Sequence, residues 1–324
     1  MSGVKCTNKA TIFVAVFLVI ASNLTGCMAV STPAKYSVSS FSEDSNDAKY
    51  YPTFASDLCV ADSDINNSDS SITENVSAGL FDLNNKETLF AQNVNEKVMP
   101  ASLTKVMTAY VALKYGSLEQ VLVATSDVYV TESGAQKIGL KEGDRMTLDQ
   151  ALHILLIYSA NDVANLIAIN IGGSVDEFVA LMNKEAKAIG ATNSHFENPH
   201  GLTSSEHYVT AYDMYLIFNA AMQFDTFSEI INMNTYNTSY LDSTGASKDV
   251  DISNTNAYLT GSKSAPNGIT VIGGKTGTTN AAGHCLILLA KDSDGNPYIA
   301  VIMRDTDGDL LYNDMTRLLS EIVI

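Results

Sequence analysis

Two short β-type runs, residues 77–81 and 88–91, flank the pair Asn84-Asn85, a spacing that predicts a hairpin. After Met99-Pro100 the period changes. Leu103, Val106, Met107, Tyr110 and Leu113 recur at intervals of three and four, which predicts a helix with Ser102 at its start. Thr147 with Gln150 and Ser174 with Glu177 have capping-box spacing, and Gly190 fits a helix stop, so the middle of the chain reads as mostly helical. Strand patterns return over residues 269–276, 285–291 and 298–304, with a turn at Asp292-Ser293-Asp294-Gly295-Asn296, followed by a closing helix over 310–322. Strands at both ends around a helical middle predict an α+β fold. One antiparallel sheet is completed from both ends of the folded region, a helical lobe is inserted, and the active site falls between them. No internal repeat is visible.

The first residues carry a different pattern. Lys5 and Lys9 precede an apolar run over residues 10–21, the length of a secretory signal core and short for a membrane span. Export is expected. Leu24-Thr25-Gly26-Cys27 follows and resembles the lipobox of bacterial lipoproteins, in which the chain is cut before a cysteine that then carries lipid. Residues 1–26 are read as the export signal and Cys27 as the lipidated residue, which holds the protein at the outer face of the cytoplasmic membrane. Ordinary cleavage after Ala29, or an uncut anchor helix, are the alternatives. Residues 27–72, rich in Ser, Asp and Asn without a sustained period, read as a flexible tether spanning roughly 35 Å. Cys59 sits in that tether without an evident partner, and residues 73–324 remain for the catalytic domain.

Composition narrows the partners. Of 324 residues 46% are hydrophobic and 17% charged, enough for a sizeable core. The net charge of −17 repels polyphosphate, so nucleic acid is excluded as a partner. The cysteines at 6, 27, 59 and 285 are far apart, and the five histidines show no H-x-x-x-H spacing; neither a disulfide, a metal nor a cofactor is expected.

The candidate chemistry starts at Ser102-Leu103-Thr104-Lys105, where a hydroxyl and an amine three residues apart on a helix share one face. A serine needs such a base, and a lysine whose pKa burial has lowered can act as one. The pattern alone is weak, because Ser2-Gly3-Val4-Lys5 matches it inside the export signal. Ser159-Ala160-Asn161 is the only S-x-N in the sequence and Lys275-Thr276-Gly277 the only K-T-G, and both follow Ser102 in order. The trio is the active-site signature of β-lactamases and penicillin-binding proteins, except that Ala160 stands where the pattern has Asp.

With Asn198-Pro199-His200-Gly201-Leu202, Thr210-Ala211-Tyr212-Asp213-Met214 and the extension to Thr278-Thr279 and Ala282-Gly283, residues 77–304 resemble the serine D-alanyl-D-alanine carboxypeptidase family of low-molecular-weight penicillin-binding proteins. The resemblance implies a β-lactamase/transpeptidase-like fold, a three-layer α/β/α arrangement. It also implies a substrate, the peptidoglycan stem peptide ending in D-Ala-D-Ala, and covalent trapping by β-lactams. Ser102 would be the nucleophile and Lys105 its base; Ser159 would relay a proton, and Asn161 would orient Lys105 and the substrate amide. Lys275 and Thr276 would take the terminal carboxylate, Gly277 would allow close approach, and the N–H groups of Ser102 and Thr278 would form the oxyanion hole. Rival readings are a β-lactamase and a non-catalytic β-lactam sensor or wall-binding protein. Glu197 and His200 are not assigned catalytic roles, and Cys285 and the methionines are expected in the core.

Overall fold

A computed structural model describes residues 57–65 and 72–323. In chain order the elements are β1 (Ser77–Asp82), β2 (Glu87–Gln92), α1 (Thr104–Tyr115), β3 (Val121–Val123), β4 (Arg145–Thr147) and α2 (Leu148–His153). The chain continues through α3 (Asn161–Gly172), α4 (Val175–Ala188), α5 (Ala211–Ala221), α6 (Asp225–Ile231), β5 (Thr235–Leu241) and β6 (Ser247–Ser253). It closes with β7 (Thr270–Thr279), β8 (Gly283–Lys291), β9 (Pro297–Asp305) and α7 (Gly308–Ser320).

The main sheet is antiparallel, in the order β2-β1-β9-β8-β7, so the hairpin at the start of the fold is closed by strands from its end. Side chains alternate across it. Leu80, Leu286, Leu288, Ala300 and Ile302 meet Leu311, Met315, Leu318 and Leu319 of α7 on one face. Phe81, Ile287, Leu289, Val301 and Met303 face the core built on α1, α3 and α5 on the other. This is the three-layer arrangement expected. Helix α7 starts where the Asp307 carboxylate accepts from the Asp309 and Leu310 amides, at 2.8 and 3.1 Å. It buries the i, i+4, i+7, i+8 stripe beginning at Leu311. Each of those large side chains contributes about 1.5–3 kcal/mol of transfer free energy, so a charge at Leu318 would detach the helix.

Two expectations are corrected. The inserted lobe is not all helix: β3, β4, β5 and β6 form a second, four-stranded sheet. In β5 and β6 only Tyr240, Val250 and Ile252 are fully covered, so too few apolar positions alternate to announce strands. The tether reading of residues 27–72 also fails over 57–65. Cys59 is buried, its N–H donates to the Tyr215 hydroxyl at 2.9 Å, and its thiol donates to the Asp82 carbonyl at 3.2 Å. Ile65 exchanges backbone hydrogen bonds with Ala91 at 2.7 and 2.8 Å, and the Asp64 carboxylate accepts from the Asn93 and Val94 amides. Four residues, Leu58 to Ala61, are too short a run for a period to show, yet long enough to cover the edge of the hairpin. The export signal, Cys27 and the rest of the tether lie outside the described residues.

Candidate active site

Ser102, the expected nucleophile, stands on a strained turn. Pro100 leads into a single 3-10 turn, Ala101–Leu103, from which α1 continues. Ala101 has φ 48°, a left-handed conformation that an L-residue adopts at a cost of order 1–3 kcal/mol. Two glycines permit this turn to be enclosed. A methyl group on Gly201, whose φ is +87°, would lie 1.8 Å from the Ala101 carbonyl oxygen, and one on Gly277 would lie 2.9 Å from the Ser102 nitrogen. Ser102 is therefore clamped between the 198–202 loop and strand β7, half-buried, with the backbone of the helix start around it.

Lys105 is fully buried on the same helix face. Its ammonium has three donors and three acceptors: Ser102 Oγ at 2.9 Å, Asn161 Oδ1 at 2.7 Å and the His200 carbonyl at 2.6 Å. Burial, followed by the charge of Lys275, holds the Lys105 pKa well below the ordinary lysine range, while Asp162 opposes the shift. A lysine so placed is neutral more often than a free one, and in its neutral form it can take the Ser102 proton.

Ser159 arrives by a second irregular device. Helix α2 passes into a π-helical turn, Ile154–Tyr158, which ends with Ser159 at φ 71° and ψ 31°. The kink turns its hydroxyl toward Lys275, whose Nζ donates to Ser159 Oγ at 3.0 Å and to the Thr276 carbonyl at 2.9 Å. Lys275 is itself buried, and that burial pushes its pKa down to about 7. Asn161 then begins α3. Its N–H and its side-chain amide both donate to the Gln136 carbonyl, at 2.8 and 3.1 Å, leaving Oδ1 free for Lys105.

The cleft above these groups has a volume of about 770 Å³. One wall is the exposed edge of β7 with Thr276, Gly277, Thr278 and Thr279, and the other is the 132–136 loop; Ser102, Ser159 and Asn161 lie on its floor. All eight residues expected at the site fall in this one place. Lys105 and Lys275 lie beneath the lining rather than in it. The Thr276 hydroxyl is hydrogen-bonded to that of Thr255, a residue the motifs did not indicate.

Other partners also escaped notice. His207 is buried and its Nε2 lies 2.9 Å from Thr104 Oγ1, while its Nδ1 accepts from the Glu197 N–H at 3.2 Å. That pair of contacts fixes the neutral tautomer with the proton on Nε2, and burial pushes its pKa down to about 4. Thr108 ties Pro199 to the same helix at 2.6 Å, so α1 carries the loop that offers the His200 carbonyl to Lys105. His200 is half-buried, and its ring pKa is pushed down to about 3, by desolvation first and then by the charges of Lys105 and His207. Glu197 binds Ser204 and the Glu206 N–H and is not among the cleft-lining residues.

This architecture is that of solved transpeptidase-type proteins. The crystal structure of the Streptomyces K15 DD-transpeptidase superposes with a TM-score of 0.70 at 25% identity, covering 76% of this chain and 97% of that one. The chain belongs to the D-alanyl-D-alanine carboxypeptidase family, peptidase S11, whose sequence profile matches residues 66–307. It is 34% identical over 218 residues to the D-alanyl-D-alanine carboxypeptidase DacF of Bacillus subtilis, covering 66% of this chain and 54% of that relative. It is 31% identical over 253 residues to DacC of Escherichia coli, covering 74% and 59%. The match to the D-alanyl-D-alanine carboxypeptidase of Streptomyces sp. strain K15 is 28% over 245 residues, covering 72% and 81%. The chain thus spans little more than half the length of the first two relatives.

Proposed function

We propose that this protein is a serine D-Ala-D-Ala carboxypeptidase acting on peptidoglycan stem peptides through an acyl-enzyme on Ser102. The observation that carries it is the buried Lys105 amine 2.9 Å from the Ser102 hydroxyl, with its remaining donors occupied by Asn161 and His200. Neutral Lys105 takes the Ser102 proton as Oγ bonds to the carbonyl carbon between the two D-alanines. The N–H groups of Ser102 and Thr278 stabilise the oxyanion. As the tetrahedral centre collapses, the C–N bond breaks. Its electron pair stays on nitrogen, and the proton returns from Lys105 through Ser159 to the departing D-alanine. Lys275 and the hydroxyls of Thr276 and Thr278 hold the terminal carboxylate. Water then attacks the ester, and Ser102 regains its proton.

β-Lactams offer the same carboxylate and a strained amide, so they acylate Ser102; the Glu197 carboxylate lies outside the cleft lining, which favours a long-lived adduct. Incubation with labelled penicillin tests this. A stable adduct on Ser102 supports the carboxypeptidase reading, rapid loss of label supports a β-lactamase, and a stable adduct without D-alanine release supports a sensor. The Streptomyces K15 neighbour is a DD-transpeptidase, so an amine acceptor added to the assay is the natural check for transfer in place of hydrolysis. Export and lipidation at Cys27 would place the enzyme beside its wall substrate; the Leu24-Thr25-Gly26-Cys27 sequence supports that placement, and metabolic labelling with a fatty acid, lost in Cys27→Ala, tests it.

A further inference from the structure

Two of the acceptors around the Lys105 amine are side chains, but the third is the backbone carbonyl of His200, which is only as well placed as the loop that carries it. Within that loop Asn198 Oδ1 accepts from the Gly201 N–H at 2.7 Å, and Asn198 Nδ2 donates to the Leu202 carbonyl at 3.0 Å. Two side chains then join the loop to α1. Thr108 donates to the Pro199 carbonyl at 2.6 Å. The other link is His207, whose Nε2 lies 2.9 Å from Thr104 Oγ1 and whose Nδ1 accepts from the Glu197 N–H at 3.2 Å. One buried ring thus spans from the residue before Lys105 to the residue before Asn198. The chain on which the ring stands is itself fixed. Tyr208 exchanges backbone hydrogen bonds with His195 at 2.8 and 3.0 Å, and Val209 does so with Val98, just ahead of the Ser102 turn, at 2.8 and 2.9 Å. The Phe196 ring meets the imidazole edge-on at 5.6 Å.

A lysine amine that has lost its extra proton keeps two N–H donors and one lone pair. When Asn161 Oδ1 and the His200 carbonyl take the two donors, the lone pair is left facing Ser102 Oγ, the orientation that proton abstraction requires. A displaced His200 carbonyl would free one donor and let the amine turn. We propose that His207 is a positioning residue for the Lys105 base: by bridging Thr104 and Glu197 it holds the His200 carbonyl where the amine needs it. His207 reaches the reacting atoms only through that loop. This rests on the acyl-enzyme reading of Ser102 and Lys105 and adds a support to it. The bridge requires a neutral imidazole, because a proton on Nδ1 would set a donor against the Glu197 N–H. Burial excludes that proton first; the Glu197 charge favours it, while His195 and the Lys105 ammonium oppose it. The His200 ring, held neutral by its own burial, is the remaining titratable neighbour.

The rate constant for acylation of Ser102 by labelled penicillin, followed against pH in the full-length protein, separates positioning from support of the fold. Two variants are compared with the wild type. His207→Phe keeps an aromatic ring against Phe196 and removes both nitrogens; Thr104→Val keeps the shape of α1 and removes only the hydroxyl that Nε2 meets. Each should acylate about 10- to 100-fold more slowly at its optimum, the scale of a base displaced by a change away from the chemistry. Loss of a carbonyl that accepts from the ammonium also withdraws support from the charged form of Lys105, so the acid limb of the profile should move to lower pH. A weakened fold would reduce the fraction of protein that labels and leave that limb in place. If His207→Phe does not fold, Thr104→Val decides by the same limb. An acid limb that stays at its wild-type position overturns the role of His207 and leaves the acyl-enzyme reading standing. A wild-type protein that is not acylated at Ser102 overturns both.

Discussion

Lys275 Nζ donates to Ser159 Oγ at 3.0 Å, joining residues 116 positions apart and tying the edge strand of the main sheet to the end of a π-helical turn in the inserted lobe. Each residue needs the other. Without Lys275 the left-handed Ser159 has no partner on the sheet side; without Ser159 a buried ammonium keeps only the Thr276 carbonyl. The site is thus a junction of three strained or buried features, Ala101, Ser159 and the two lysines, that the surrounding core must hold in place.

Removing the base tests the arrangement locally. Lys105→Gln should slow acylation of Ser102 by labelled penicillin by about 10²- to 10⁴-fold, the range for a positioned general base. Burst-phase labelling measures it. A fall of less than tenfold would assign the proton to another group.

The pH dependence follows from both lysines. In the proposed mechanism acylation needs Lys105 neutral and Lys275 charged, so kcat/KM should rise with pH through the lowered Lys105 pKa and fall again above about 7, where Lys275 loses its proton. Bound substrate carboxylate stabilises the Lys275 ammonium, so the alkaline limb of kcat should lie at higher pH than that of kcat/KM. An alkaline limb unmoved by Lys275→His would reassign it.

The same shift has a stability consequence with a definite sign. Lys275 titrates near 7 in the folded protein and near 10.4 in the unfolded chain, so between those values the unfolded state binds more protons and stability rises with pH. The cost of burying the ammonium is full below about 7 and gone above about 10. Lys275→Met removes the group assigned to the substrate carboxylate and should abolish the proposed activity. It should also gain Tm relative to the wild type most clearly at or below pH 7, with a difference that shrinks toward pH 10. Thermal scans across that range measure it; a difference independent of pH would contradict the assignment.

Gly201→Ala addresses the clamp on the nucleophile. Its methyl group has no room beside Ala101 and its φ of +87° disfavours any side chain. The change should cost about 1–3 kcal/mol in urea unfolding and lower penicillin acylation with it. A variant that unfolds and acylates as the wild type does would show that the loop can yield.

The motif residues were legible in the sequence because chemistry restricts them to few residue types: Ser102 and Lys105 by helical spacing, Ser159 and Asn161 by order, and Lys275 to Thr278 by an uncommon triplet. The main sheet was legible because its last two strands in sequence, β8 and β9, are nearly continuous apolar runs, buried on both faces. Cys59 was not, since it is held by a tyrosine 156 residues away. Nor were His207 and Thr255, whose importance comes only from which hydroxyl each one meets. The π-turn before Ser159 also left no mark, because Ile154 to Ile157 look like any buried helical segment.

The strap over residues 57–65 gives a further check. Tyr215→Phe removes the hydroxyl that satisfies the buried Cys59 N–H while keeping the ring stacked on Phe81 at 4.1 Å. It should cost about 0.5–1.5 kcal/mol without changing acylation. Urea unfolding measures the first and penicillin labelling the second; an unchanged stability would show the strap to be uncoupled from the core.

Release of D-alanine from diacetyl-L-Lys-D-Ala-D-Ala by the full-length protein, with Ser102→Ala beside it, tests whether Ser102 carries the acyl-enzyme. Release that disappears in the variant, together with an acyl adduct mapped to Ser102, is the predicted result. Release that persists in Ser102→Ala, or an adduct on any other residue, would contradict it.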